Sequence, residues 1–98
     1  MPSDHKRQAE RIATALPLSF ENGTGVTEDV SATGIFFWTD STVEFAVGDH
    51  VNFTIEIVRS GRQIRPKCEG EIVRVQRRGT STGVAVKLVE SAIDVIWK

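Results

Sequence analysis

Val51, Phe53, Ile55 and Ile57 alternate with Asn52, Thr54 and Glu56. That period of two suits an extended strand with one buried face. Shorter runs repeat the pattern along the chain. Leu16, Leu18 and Phe20 alternate with Pro17 and Ser19. A short strand is predicted around Gly25 to Thr27, and an aromatic-rich one over Gly34 to Thr39. Cys68 to Gln76 reads as a strand, and Val84, Val86 and Leu88 alternate with Ala85 and Lys87. Glycine-bearing turns divide the runs: Asn22-Gly23, Val47-Gly48-Asp49, Ser60-Gly61-Arg62 and Arg78-Gly79-Thr80. No segment carries the period of a long helix. About six short strands imply an all-β fold, a small antiparallel barrel or sandwich. Closure would remove two exposed sheet edges. Pro17 lacks a backbone donor, so its strand is expected to lie at an edge or begin irregularly.

Residues 1–13 differ from the rest. They carry His5, Lys6, Arg7 and Arg11 with few apolar side chains, and read as a flexible basic arm leading into a barrel over residues 14–98. The tail, Glu90 to Lys98, is expected to form a helical turn or dock as a strand, with Trp97 pinning it to the barrel. A chain of 98 residues supports one domain with a modest core. Its net charge of −1 argues against a general polyanion binder, so any anion site must come from local clustering. No apolar run approaches the roughly 20 residues of a membrane helix. The N-terminus lacks the apolar core of a signal peptide. Cys68 stands alone, which leaves no disulfide framework and no cysteine metal site, and is expected to be a small buried hydrophobe. A cytoplasmic location is the expectation.

Catalysis is not indicated. His5 and His50 belong to no nucleophile or metal motif, and Gly-x-Ser-x-Gly, His-Glu-x-x-His and Walker loops are absent. Two other features carry more. Arg7 and Arg11 stand four apart, and guanidiniums match phosphate oxygens and the guanine O6/N7 edge bidentately. Asp29, Ser31 and Gly34 follow as Asp-x-Ser-x-x-Gly. A plain turn accounts for Asp29 through backbone amides and for Gly34 through positive φ, but does not require Ser31. A ligand cradle would use all three: a carboxylate for paired N–H donors of a guanine, a hydroxyl for a phosphate or base edge, and a glycine for close backbone approach.

Arg7-x-x-x-Arg11 followed by Asp29-x-Ser31-x-x-Gly34 resembles the signature of the PilZ domain family, the bacterial receptor module for cyclic di-GMP. The segments "FAVGDHVNFTIEI", "CEGEIVRV" and "GVAVKL" are similar to that family's later strands, so the likeness runs from about Lys6 to Leu88. The resemblance implies a six-stranded antiparallel barrel with a flexible N-terminal arm and a short C-terminal tail. It implies that Arg7 and Arg11 grip the phosphates and guanines of cyclic di-GMP while Asp29, Ser31 and Gly34 line the opposite wall. Lys6 and Arg74 are secondary candidates, Lys6 for a second, stacked nucleotide. There is little room for the C-terminal helix of many relatives, and output is expected through a separate effector protein. Neither a cofactor nor a metal is implied.

Two rival readings stand beside this one. The first is a protein-interaction adaptor with the same barrel and no useful nucleotide affinity. The second is a barrel that stacks single-stranded nucleic acid on Phe36, Phe37 and Trp38. Consecutive strand residues point to opposite faces, so at least one of those rings belongs to the core.

Overall fold

The computed structural model describes residues 11–31, 33–40 and 44–89. They form strands β1 (Arg11–Ala13), β2 (Pro17–Phe20), β3 (Gly23–Ser31), β4 (Gly34–Thr39), β5 (His50–Ile55), β6 (Ile57–Arg59), β7 (Arg62–Ile64), β8 (Lys67–Arg78) and β9 (Ser81–Leu88). Every pairing is antiparallel. Strand order β3-β2-β5-β8-β9-β4 returns to β3 through the β3–β4 ladder, so six strands close into a barrel. β1 lies beyond β2 along the same edge of β3, and β6–β7 is a separate hairpin.

The alternation seen in the sequence fills the barrel. Leu18, Val30, Ile35, Phe37, Phe53, Ile55, Ile72, Val84, Val86 and Leu88 are buried together with Cys68. Phe37 packs at 6.1 Å from Phe20, 6.1 Å from Phe53 and 6.2 Å from Phe45, so an aromatic cluster sits within a mainly aliphatic core. Cys68 is buried as expected, and burial pushes its thiol from 9.0 up to about 11.

Three expectations need correction, and of the two alternatives for Pro17 the second holds. The first hairpin turns at Glu21–Asn22, with Phe20 opposite Gly23, and no residue of that turn has positive φ. Gly23 instead opens β3, which is longer than the Gly25–Thr27 stretch expected. The alternating run at Val51 breaks after Ile55, and Ile57 starts the separate hairpin, whose Ser60-Gly61 turn has φ of 55° and 76°. Such a left-handed pair matches the twist of a two-residue hairpin. Pro17 lies between β3 and β5 rather than at an edge, and begins its strand after an irregular stretch.

That stretch, Thr14 to Leu16, is where β1 and β2 part. Thr27 stitches it. Its Oγ1 accepts from Leu16 N at 2.8 Å and donates to Thr14 O at 2.6 Å, while Thr27 N donates to Leu16 O at 3.0 Å. One buried threonine thus continues the edge of β3 across the break and lets β1 rejoin it.

Candidate functional site

The pairing of β1 with β3 sets Arg11 opposite Ser31, Ile12 opposite Val30 and Ala13 opposite Asp29. The last three residues of the expected arm are therefore a strand laid beside the acid–hydroxyl–glycine segment. Lys6 and Arg7 lie outside the described residues.

Ser31 is the hub of the turn into β4. Its Oγ accepts from Gly34 N at 3.0 Å and Thr33 N at 3.2 Å, donates to Gly34 O at 3.2 Å, and lies 3.4 Å from Thr33 Oγ1. The side chain is only 1% exposed. The turn does require Ser31, against the expectation from sequence. Gly34 also differs from expectation, because its φ is not positive. A Cβ there would lie 2.9 Å from Val86 O, so the glycine lets β4 approach β9 closely.

Two β-bulges fix what faces outward here. In β3 the register with β4 shifts between Thr27 and Asp29, so Thr27 and Val30 both point inward and Asp29 falls on the outer face. In β8 the register with β9 shifts between Ile72 and Arg74. Ile72 is buried, Val75 packs against the core, and Arg74 and Arg78 are directed out. Registers then align Asp29, Phe36, Ala85 and Arg74 across four neighbouring strands.

A groove of about 800 Å³ follows that row, lined by Asp29, Gly34, Phe36, Trp38, Arg74 and Arg78 among others. Of the three residues of the acid–hydroxyl–glycine motif, Asp29 and Gly34 line the groove and Ser31 lies beneath the turn that shapes it. Arg74 lies with its Cζ 5.3 Å from the centre of the Phe36 ring. Of the three consecutive aromatics only Phe37 is in the barrel core; Phe36 and Trp38 are on the outer face, in contact with each other. Among the described residues no group of His, Cys, Asp or Glu could hold a metal ion.

The sequence profile of the PilZ domain matches residues 5–95, nearly the whole chain. The chain belongs to the PilZ domain family. PilZ domains are binding and adaptor modules, and the family is known for cyclic di-GMP as a ligand. Among solved structures, this PilZ domain is similar to the Bacillus subtilis inhibitor of motility, MotI/DgrA, with a TM-score of 0.76 at 13% identity. The likeness covers 91% of this chain but 46% of that one, and at such identity it speaks to the fold. No curated protein matches the sequence. No helix among the described residues is long and apolar enough to cross a membrane.

Proposed function

We propose that this PilZ domain is a cyclic di-GMP receptor that orders its N-terminal arm on binding and signals to a separate effector protein. The observation that carries this reading is the ladder between β1 and β3, which brings the second arginine of one half-motif beside the turn of the other. Arg7 and Arg11 take the phosphates and guanine edges from the arm side. Asp29 and Gly34 form the wall, and Ser31 contributes by holding the turn in shape. Arg74 adds a cation across the groove, and Lys6 is a secondary contact from the arm.

The energetics are consistent with a regulated ligand. Fixing arm residues costs about 1–2 kcal/mol each. Charge-assisted hydrogen bonds return about 1.5–3 kcal/mol each. The balance fits an affinity near micromolar, about −8 kcal/mol. The reordered arm alters the surface beside the groove, and that altered surface is what the effector reads.

A titration of the labelled chain with cyclic di-GMP, followed by backbone amide NMR, tests the reading. Shifts are expected along β1, at residues 29–34 and across the outer row of β4, β9 and β8, with slowed amide exchange over residues 5–13. Shifts confined to the separate cavity of about 660 Å³ lined by Phe45, His50 and Cys68 among others, or none, would overturn it.

A further inference from the structure

The groove contains a second arrangement that the signature motif does not explain. Phe36 and Trp38 meet edge to face, with ring centres 5.3 Å apart and planes at 85°. Both lie on Gly83, where a Cβ would come within 2.7 Å of Phe36 Cζ and 2.9 Å of Trp38 Cζ3. Small residues on β9, Gly83 and Ala85, separate these rings from β8, so long side chains of β8 can lie across β9 onto them. Arg78 does so, with its Cζ 4.9 Å from the Trp38 ring centre. The indole is held in orientation by Nε1, which donates to Glu28 Oε1 at 2.6 Å. That bond occupies the carboxylate of the bulge residue. Neither Arg74 nor Arg78 has a carboxylate partner among the described residues.

A guanidinium held over an indole has already lost much of its rotamer freedom, so it meets a ligand at a lower ordering cost than a free arginine. Its planar cation can stack on a base while its N–H donors reach a phosphate or the O6/N7 edge of guanine. Trp38 lies two residues beyond Phe36, which pairs with Asp29, or about 7 Å along the strand. That is within reach of a dinucleotide anchored at Asp29. Val26 at 48% and Val73 at 47% exposure add apolar surface nearby, which favours the flat face of a base over a bare phosphate.

We propose that Arg78, seated on Trp38, is a purine-stacking shelf that receives one base of the bound cyclic dinucleotide. This rests on the nucleotide reading above and adds to it a specific subsite outside the Arg-x-x-x-Arg and Asp-x-Ser-x-x-Gly residues.

The test uses the full chain labelled with 5-fluorotryptophan, in which the Trp38→Phe variant assigns the Trp38 fluorine resonance. Cyclic di-GMP is titrated by calorimetry and by fluorine NMR, and Arg78→Lys is compared because it keeps the charge and loses the planar face. The Trp38 resonance is expected to move in step with the binding heat. Arg78→Lys is expected to weaken binding about tenfold, the size of one lost base stack, with an unchanged melting temperature. If the wild type binds while the Trp38 resonance stays still and Arg78→Lys binds equally well, the shelf is overturned and the nucleotide reading stands. If the wild type does not bind, the nucleotide reading fails and takes the shelf with it.

Discussion

Arg11 stands directly opposite Ser31 in the ladder between β1 and β3. They stand 20 positions apart in the chain, and the barrel returns one to the other. The break at Thr14 to Leu16 is bridged by Thr27 and by Thr14 N, which donates to Glu28 O at 3.2 Å, so a buried threonine helps set where the strand of the second arginine rejoins β3.

Thr27→Val keeps the side-chain volume and removes the hydroxyl. Leu16 N loses its acceptor and Thr14 O its donor. A loss of about 1–3 kcal/mol is expected in urea unfolding. Amide exchange in β1 should quicken more than in β5 or β9, because the Thr27 hydroxyl bonds the chain next to β1 and touches neither of the other two. Equal effects on all three strands would contradict that role.

Ser31→Ala leaves the buried amide of Gly34 and the part-buried amide of Thr33 without their acceptor. The expected cost is about 1–3 kcal/mol. In a domain of this size that lowers the melting temperature by about 4–8 °C per kcal/mol. A variant as stable as the wild type would show that the hydroxyl is not the hub of the turn.

Gly83→Ala sets a methyl group against the Phe36 and Trp38 rings, which must lift from the sheet. Overpacking of this kind costs about 1–3 kcal/mol. The near-ultraviolet circular dichroism of the tryptophans should change with it. Gly48→Ala is the contrast: its Cβ meets nothing within 4 Å, and any penalty there comes from a φ of 98° alone, with the tryptophan signal unmoved.

Burial raises the Cys68 thiol from 9.0 to about 11. The unfolded chain releases that proton above about pH 9, whereas the folded chain holds it until about pH 11. The stabilising contribution is therefore complete below pH 9 and lost as pH rises through the window to about 11. The difference in urea midpoint between wild type and Cys68→Ala should be constant up to about pH 8.5 and shrink above 9. The chain contains no tyrosine, which removes one other group that titrates there. A difference that does not change with pH would contradict the burial.

The barrel was legible because its core residues sit at even spacing in β2, β4, β5 and β9, and the glycines at 48, 61 and 79 do supply left-handed turns. The bulges were not. Ile72 beside Val73 was their trace in β8, but adjacency alone does not say which residue is extra. Only the shifted register reveals that Arg74 and Arg78 share the outer face with Phe36 and Trp38. The signature residues could be picked out from their spacing, while the work of Ser31 could not. A hydroxyl that caps amides two and three residues on has the same sequence as one that faces a ligand. Thr27 gave no signal at all, since its partners at Thr14 and Leu16 are defined by strand pairing.

Calorimetry of the intact chain with cyclic di-GMP, run beside Arg11→Ala and Arg7→Ala, is the most direct check on the central claim. Saturable binding near micromolar is predicted, weakened at least about tenfold in each variant, or about 1.4 kcal/mol. No heat at high micromolar ligand, or equal affinity in all three proteins, would contradict the account.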